Sequence, residues 1–375
     1  MQDKWANKIG KALDIEYKKV KEGIKKDIIE EKNNYFRFHK KWGGVERGTI
    51  FFKSGDILPG YPKIKRTLLL DPTLKNHFIE RVAIEEKMNG YNVRIANVRD
   101  NVIAATRGGL ICPYTTAKAR EKINLDFFKE NPHLIVCGEM VGPDNPYVPK
   151  DIYNVESLEF FVFDIRKKGT GEPLELNKRR KIVKEFDLRN VRLFGIYNLD
   201  KAVKESKKII KSLGKEKREG IVFKDPKNNK EPIKYTSSQS NCEDLKYAYR
   251  FYNDYGSDFV HSRTVREAFQ SYEWNEGQEE LEKRAKRLGL SILDPMLKTI
   301  KEKKKNKQEI GEEVSIKVSD IDLAAEFKEH LKEQGVEAEF KSYEELEDNS
   351  YRIWIDKKQK STDDKTKSLL DGGLW

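Results

Sequence analysis

The chain has 375 residues and a net charge of +11, with 37% hydrophobic and 37% charged residues, which is enough for about two to four modules. Its 18 Phe, 16 Tyr and 5 Trp exclude a disordered protein, because disordered chains are poor in aromatic residues. No apolar run approaches the ~20 residues of a membrane helix. The N-terminus lacks a signal-peptide core, so we expect a soluble cytoplasmic protein.

The net positive charge has two explanations. A polyanionic partner is one, and nucleic acid is the commonest partner of this kind. A surface rich in lysine and glutamate, as in heat-adapted proteins, is the other. Cys112, Cys137 and Cys242 lie far apart and the histidines have no ligand spacing, so the sequence predicts neither a disulfide framework nor a zinc site.

The first segment, residues 1–75, is predicted to form an N-terminal extension. Residues 3–32 are predicted to be helical, because apolar side chains recur at intervals of three and four residues with lysines between them. Residues 47–70 contain Gly-Asp and Pro-Gly turn signals between short apolar runs, which predicts short strands.

Residues 76–240 mix many short strands with few helices, and this pattern predicts an α+β domain. Helices are expected at residues 176–186 and 202–214, the second with a glycine at its C-terminal end. Strands are expected at residues 91–98, 101–107, 134–140, 158–165, 191–197, 220–224 and 232–235.

The C-terminal part divides into two segments. Residues 241–311 are predicted to be mainly helical, and their lysine-rich run KEKKKNKQ (301–308) is interpreted as a solvated linker. Residues 312–375 are predicted to form a small β-α-β-β module, because VSIKV, VEAEF and YRIWI have the composition of strands around one helix.

The first candidate for chemistry is Lys87 in the sequence KMNG (87–90). A lysine amine attacks phosphorus only when it is unprotonated, so its pKa must fall from about 10.4 or its proton must leave during the attack. A glycine three residues later, Gly90, lets the backbone turn close to a bound ligand. For this short motif alone, a solvated lysine before a hairpin is the simpler interpretation.

Five later motifs supply residues that could assist such a lysine. Each has a structural alternative, since an aromatic side chain can belong to the core, a carboxylate can cap a turn and a lysine can face solvent. Their order along the chain is the stronger observation. They are Arg107 in TRGG (106–109), Glu139 in CGEM (137–140), Phe161 and Phe163 in FFVFDI (160–165), Glu219 and Lys224 in REGIVFK (218–224), and Lys234 in PIKY (232–235).

This set of motifs resembles that of the covalent nucleotidyltransferases, the superfamily of ATP-dependent DNA and RNA ligases and mRNA capping enzymes. KMNG matches the family's KxxG motif, EGIVFK matches its EGhhhK motif, and CGEM, FFVFDI and PIKY follow in the family's order. The resemblance implies an ATP-grasp-like catalytic domain of mixed, mostly antiparallel sheets. The layout is most similar to that of archaeal RNA ligases, homodimers that join or circularise RNA, and residues 241–311 would then include the dimerisation domain.

Two positions bear on the choice of nucleic acid. DNA ligases commonly have arginine five residues after the lysine, whereas this chain has Asn92, as several RNA ligases do. Asn92 therefore favours RNA over DNA. The family's last motif often reads KxK, but Pro232 replaces its first lysine, so one of the two cations expected near Lys234 is missing.

The resemblance implies three steps: Lys87 takes AMP from ATP, AMP passes to the 5′-phosphate of single-stranded RNA, and an RNA 3′-hydroxyl displaces AMP. Lys224 and Lys234 would hold the α-phosphate and help to lower the pKa of Lys87. Glu219 and Glu139 would bind Mg²⁺. Other contacts implied are Glu86 with the adenine amino group, Phe163 or else Phe161 with the adenine face, Glu139 and Arg107 with the ribose, and Asn92 and Arg94 with the nucleotide or the RNA 5′-phosphate.

Two other functions are open to this sequence. A DNA ligase or a GTP-using capping enzyme would add a small β-barrel after the last lysine motif, and the helical pattern after residue 240 argues against it. A non-catalytic RNA-binding protein on a ligase scaffold would explain the charge. The retention of five candidate residues argues against that function, and they are Lys87, Glu139, Glu219, Lys224 and Lys234.

Overall fold

The computed structural model describes residues 2–306 and 309–375. Its first elements are α1 (Gln2–Leu13), α2 (Tyr17–Lys25), β1 (Ile29–Glu31), β2 (Tyr35–Phe38), β3 (Ile50–Phe52) and β4 (Ile57–Leu58). The helices pack on an antiparallel sheet of strand order β1-β2-β3-β4. The single helix predicted for residues 3–32 is therefore wrong. Asp14 and Asp27 adopt left-handed φ angles of 54° and 53°, which end the two helices.

The described residues between 65 and 236 form a five-stranded and a four-stranded sheet with helices around them. The elements are β5 (Lys65–Arg66), α3 (Leu70–His77), β6 (Arg81–Lys87), β7 (Tyr91–Val98), β8 (Asn101–Thr106), α4 (Pro113–Lys122), α5 (Asp126–Glu130), β9 (Leu134–Val141), β10 (Glu159–Lys167), α6 (Leu176–Glu185), β11 (Leu193–Asn198), α7 (Leu199–Lys215), β12 (Gly220–Lys224) and β13 (Ile233–Thr236). The strand orders are β11-β6-β12-β13-β5 and β10-β9-β7-β8. Strand β5 pairs with β13 in parallel, and the other pairs of both sheets are antiparallel.

The sequence pattern does not predict strand β6, which carries Lys87. This strand lies between β11 and β12 in the five-stranded sheet, and residues 82–86 are all buried. A central strand is buried on both faces and therefore lacks a polar alternation. Two adjacent charged residues, Glu85 and Glu86, also interrupt the apolar run, so a prediction based on hydrophobicity does not identify β6 as a strand. Helices α4 and α5 are likewise absent from the predicted elements.

The C-terminal part consists of a helical segment followed by a small sheet. Its elements are α8 (Ser238–Arg250), α9 (Ser257–Glu273), α10 (Gln278–Asn306), β14 (Gly311–Val318), α11 (Ile321–Glu333), β15 (Ala338–Glu345), β16 (Tyr351–Lys358) and α12 (Lys360–Leu370). The strand order is β14-β16-β15, all antiparallel, and α12 follows the predicted β-α-β-β elements. No helix within residues 2–306 and 309–375 is long and apolar enough to cross a membrane.

The lysine-rich run at 301–308 is not a solvated linker where the structure describes it. It continues α10 as far as Asn306, and Lys307 and Gln308 lie outside the described residues. Lys303 is 9% exposed, and its Nζ lies 2.6 Å from Asp363 Oδ1 in α12. The linker interpretation is therefore wrong for Lys303, which fixes α10 to α12.

The C-terminal sheet and α11 pack against the four-stranded sheet and α4. One apolar cluster includes side chains from all of these elements. Within it, the Phe327 ring lies 5.3 Å from the Tyr114 ring, between centroids. Gln334, just after α11, donates a hydrogen bond to the Tyr147 hydroxyl at 3.1 Å. This packing brings the end of α11 to the rim of the main cleft.

Candidate active site

A cleft with a volume of about 720 Å³ lies between the five-stranded and the four-stranded sheet. On the five-stranded sheet, Glu85 pairs with Val222, and Val222 pairs with Lys234. Paired residues, and residues two positions apart in one strand, share a face of the sheet. Lys87 and Lys224 therefore lie on the same face as Lys234, and this face lines the cleft.

Lys87 is held by a carboxylate. Its Nζ donates a hydrogen bond to Glu219 Oε2 at 2.8 Å, and both side chains are 19% exposed. Burial acts to lower the pKa of Lys87, but Glu219 and Glu139 outweigh it and raise that pKa above its ordinary value of 10.5. The predicted lowering of the Lys87 pKa is therefore wrong for the protein alone, in which the amine is an ammonium held by its counter-ions.

Gly90 allows the chain after Lys87 to enter the second sheet. A Cβ on Gly90 would overlap the carbonyl oxygen of Met140 in β9. No side chain fits in that space, so the glycine of KMNG is needed where β7 begins beside β9. Its role in this structure is the close packing of two strands, whereas the motif alone predicts a close approach to a ligand.

Glu139 and Asn92 are cross-strand neighbours on β9 and β7. Burial raises the pKa of Glu139 to about 7, although Lys87 acts in the opposite direction. The Asn92 Oδ1 atom is buried and has no hydrogen-bond partner among the described residues. Because a buried polar atom without a partner is destabilising, Asn92 is suited to accept a hydrogen bond from a ligand in the cleft.

Lys224 lies at the end of β12 in a buried ion network. Its Nζ is 3.0 Å from Glu85 Oε2, and it also donates to the carbonyl oxygen of Phe163. Arg179 of α6 donates to both oxygens of the same Glu85 carboxylate. Burial lowers the pKa of Lys224, and Glu85 acts against that shift. Lys224 therefore lines the cleft and shares the single negative charge of Glu85 with Arg179.

Lys234 also lines the cleft, and it forms no ion pair with the described residues. Burial, followed by the charge of Lys87, lowers the pKa of Lys234 to about 8. Its Nζ has no hydrogen-bond or ion-pair partner in the part of the chain that the structure describes. Arg66 of β5 pairs with Lys234 in the parallel ladder and supplies a second cation beside it.

The two phenylalanine candidates of β10 differ in their position at the cleft. The pairing of β10 with β9 skips one residue between Val162 and Asp164, so Phe163 is the bulged position. Phe163 lines the cleft and packs edge-on against Tyr61, with 5.2 Å between the ring centroids. Phe161 is not among the described residues that line the cleft. Phe163 is therefore the aromatic candidate that the structure places there.

The three remaining candidates have different positions. Arg107 follows β8, is exposed and lines the cleft. Glu86 also lines the cleft, and its Oε1 atom accepts a hydrogen bond from Arg218 at 2.7 Å, so its contact with adenine stays a prediction. Arg94 is 1% exposed and donates to backbone carbonyl oxygens of the N-terminal extension and of β8. The prediction that Arg94 meets the nucleotide or RNA is therefore wrong, because it joins the extension to β8.

Several residues that build the cleft carry no sequence signal. Arg179 and Arg218 hold the carboxylates of two neighbouring residues of β6, and Tyr61 supports Phe163. Arg218 begins REGIVFK (218–224) but is not one of its candidate residues, whereas Arg179 and Tyr61 belong to no motif, and only the packing of distant segments brings the three to the cleft. Further lining residues, from the N-terminal extension and the C-terminal module, are Arg37, His39, Arg47, Glu333, Gln334 and Gly335.

Comparison with known proteins identifies the family. The RNA ligase family model matches residues 80–236, and a model described as the ligase Pab1020 C-terminal region matches residues 247–373. An uncharacterized protein of Methanocaldococcus jannaschii is 38% identical over 98% of this chain and 96% of its own length. The chain belongs to the RNA ligase family. The membership of a ligase family that KMNG and EGIVFK predict is thereby confirmed.

Solved structures of archaeal ATP-dependent RNA ligase share the fold. Two structures, named form 2 and form 1, are 40% and 42% identical to this chain, cover 99% of it and 99% of their own length, and have a TM-score of 0.93. A protein from Aquifex aeolicus, provisionally named an ATP-dependent DNA ligase, is 30% identical over 95% of this chain and 99% of its own, with a TM-score of 0.89. The predicted α+β ligase fold with antiparallel sheets and a helical C-terminal region is confirmed.

Proposed function

We propose that this member of the RNA ligase family is an ATP-dependent RNA ligase, which joins a 5′-phosphate to a 3′-hydroxyl through lysyl-AMP and RNA-adenylate intermediates. The observation that carries the proposal is the meeting of Lys87, Glu139, Glu219, Lys224 and Lys234 in one cleft. The names of the archaeal ligases that share the fold over almost the whole chain support it.

The first step is a substitution at the α-phosphorus of ATP. The Lys87 ammonium loses a proton, its nitrogen bonds to phosphorus, and the bond to the pyrophosphate oxygen breaks. Glu219 accepts the hydrogen bond of Lys87 and is a base within reach of that proton. Lys234, which makes no ion pair in the described chain, offsets the negative charge that develops on the phosphate oxygens.

The second and third steps pass AMP onward. An oxygen of the RNA 5′-phosphate bonds to the same phosphorus and the phosphorus–nitrogen bond breaks, after which the 3′-hydroxyl attacks the RNA phosphorus and AMP leaves. All three steps are phosphoryl transfers, so the cleft contributes position and charge balance. We place adenine on Phe163, the ribose at Glu139 and Arg107, and a ligand donor at the open Asn92 oxygen.

Mg²⁺ is the metal that these residues fit. Glu139 and Glu219 line the cleft, and both act on the charge of Lys87. The described residues contain no group of three or more metal-ligating side chains. The protein would therefore supply one or two carboxylates, as at magnesium sites whose other ligands are phosphates and waters. When bound there, Mg²⁺ would offset the charge of the phosphates.

Sealing of RNA ends tests the proposal. With ATP and Mg²⁺, the pure protein is expected to convert single-stranded RNA with 5′-phosphate and 3′-hydroxyl ends into a product whose phosphate resists phosphatase. GTP and nicked DNA are the comparison substrates, because capping enzymes use GTP and DNA ligases seal nicks. Efficient sealing of nicked DNA without any RNA product would contradict the proposal.

We also propose a homodimer that pairs through α10. Leu290, Leu293, Leu297 and Ile300 recur at intervals of three and four residues and form one apolar stripe along this helix. They are 43%, 57%, 48% and 37% exposed. A continuous exposed stripe of large apolar side chains marks an interaction surface, and contact with the same stripe of a second copy would remove it from water.

Introducing charged residues into this stripe is expected to separate the two subunits of the dimer. Changing Leu293 and Leu297 together to lysine places like charges across a twofold interface, so the mass from light scattering should fall from two chains to one. Leu281→Lys is the matched control, since Leu281 is 45% exposed and lies about two and a half turns before Leu290, on the opposite side of α10. A wild-type protein with the mass of one chain would refute the dimer.

A cytoplasmic location is also part of the proposal. Cys112, Cys137 and Cys242 are all free and buried. Free thiols persist in reducing compartments, whereas disulfides accumulate in oxidising ones.

A further inference from the structure

Two arginines from the N-terminal extension flank one glycine at the edge of the cleft. Arg37 Nη1 donates to the carbonyl oxygen of Gly108 at 3.4 Å. The position that a Cβ would take on Gly108 lies 3.8 Å from Arg37 Nη1 and 3.9 Å from Arg47 Nη2. We call Arg37, Arg47 and Gly108 the arginine cradle. All three line the cleft, and Gly108 directly follows Arg107.

The charges of the cradle are only partly balanced. Arg37 is 7% exposed and forms an ion pair with Glu30, which also lies 2.8 Å from Lys32. Glu333, at the end of α11, also lies 3.8 Å from Lys32. Arg47 is exposed, and no described residue forms a hydrogen bond or an ion pair with its guanidinium. Glu30 is therefore shared between Arg37 and Lys32, and the charge of Arg47 is open to the cleft.

The geometry of the cradle suits a phosphate group. A guanidinium presents planar N–H donors that match phosphate oxygens, and two guanidiniums on one side of a glycine can bind different oxygens of the same group. Arg37 is fixed by Glu30 and Gly108, so little freedom is lost when it binds an anion. Gly108 carries no side chain, which leaves the space between Arg37 and Arg47 open.

The position of the cradle favours a phosphate of RNA over the phosphates of ATP. Lys87, which the α-phosphate must reach, lies between the two sheets and is 19% exposed. The cradle lies instead towards the end of α11, because Glu30, the ion-pair partner of Arg37, also contacts Lys32, and Lys32 lies 3.8 Å from Glu333. Arg107, which we place at the ribose, directly precedes Gly108, so an RNA strand that continues from the nucleotide site can reach the cradle.

We propose that the arginine cradle binds a backbone phosphate of the RNA substrate beside the reacting end. This proposal rests on the RNA ligase function proposed above. It gives the N-terminal extension a direct part in substrate binding. Arg47 supplies the free charge, and Arg37 supplies a second donor group that the fold holds in position.

The test separates RNA binding from nucleotide chemistry. In Arg47→Ala, the KM for 5′-phosphorylated RNA is expected to rise about tenfold, and the slope of log affinity against log salt is expected to shrink by roughly 0.7. Formation of lysyl-AMP from ATP should stay at the wild-type rate. Arg47→Lys keeps the charge without the planar fork and should give an intermediate KM. Lys204→Ala, which removes a charge from the exposed face of α7, should match wild type.

Two results would overturn the proposal. If Arg47→Ala slows lysyl-AMP formation as much as it slows sealing, the cradle serves ATP. If wild type and Arg47→Ala share the same KM and salt dependence, the cradle binds no substrate phosphate. A wild-type protein that seals no RNA would instead refute the ligase function. Equilibrium binding of the same RNA by both proteins would then still decide whether the cradle binds a backbone phosphate.

Discussion

Replacing Lys234 with alanine is expected to slow the transfer of AMP from ATP to Lys87 by about 100- to 1,000-fold. Burial and Lys87 already lower the pKa of Lys234 to about 8, and its Nζ has no ion-pair partner within the described residues. The positive charge of Lys234 is therefore available to a phosphate, and its removal destabilises the transition state of AMP transfer to Lys87. A single turnover with ATP labelled at the α-phosphate measures this rate.

The stability of Lys234→Ala should not fall. A lysine whose pKa is lowered in the folded protein does not stabilise the fold through its charge at neutral pH, because folding then disfavours the ammonium. Lys227→Ala is the matched control, since Lys227 is an exposed lysine between β12 and β13 and should leave the rate unchanged. A folded Lys234→Ala protein that forms lysyl-AMP at the wild-type rate would remove Lys234 from the mechanism.

Replacing Glu85 with glutamine is expected to lower the free energy of unfolding by about 3–5 kcal/mol. Glu85 is 1% exposed, and its carboxylate contacts two buried cations, Arg179 and Lys224. The substitution keeps the size of the side chain but leaves both cations without their counter-ion in a site of low dielectric constant. Denaturant unfolding at neutral pH measures the loss.

The same substitution is expected to change the response to acid. Burial acts to raise the pKa of Glu85, but Lys224 and Arg179 outweigh it and hold the pKa below its ordinary value of 4.5. A carboxylate with a lowered pKa gives stability that is present above that value and is lost as the pH falls below it. Glu85→Gln lacks this component, so its stability should depend less on pH in the acid range.

An exposed ion pair provides the comparison for Glu85. Glu172 lies 2.8 Å from Lys167, and its side chain is 61% exposed. Glu172→Gln should therefore change the free energy of unfolding by about 0.5 kcal/mol or less. Equal losses in Glu172→Gln and Glu85→Gln would show that the buried network with Arg179 contributes no more than a surface pair.

The nucleophile and its partners could be predicted from the sequence because the motifs occupy neighbouring strands. KMNG starts at the last residue of β6, and EGIVFK forms β12, with Lys87 paired to Gly220 next to Glu219. PIKY contributes β13, the next strand in the sheet. Residues of adjacent strands that share a face meet without help from distant segments, so the resemblance of these motifs to those of the nucleotidyltransferases predicts this part of the site even though strand β6 itself is not predicted.

The other features depend on contacts between segments that are distant in sequence. The bulge at Phe163 changes the alternation of β10, and no residue of FFVFDI signals it. Arg94 has the spacing of a cleft residue, but the N-terminal extension covers it. The direction of the Lys87 pKa shift depends on Glu219 and Glu139, whose charges outweigh burial. The resemblance thus predicts which residues meet, and only the folded arrangement sets the balance of charges among them.

The proposed function requires that Lys87 Nζ becomes covalently bound to AMP. The direct measurement is to incubate the pure protein with Mg²⁺ and ATP labelled at the α-phosphate, digest it and locate the adenylate by mass spectrometry. We expect the label on Lys87, and none in Lys87→Ala or in Lys87→Arg, which keeps a charge beside Glu219 but has no nucleophilic amine. Label on a different residue, or undiminished label in Lys87→Ala, would contradict the assignment of Lys87 as the nucleophile.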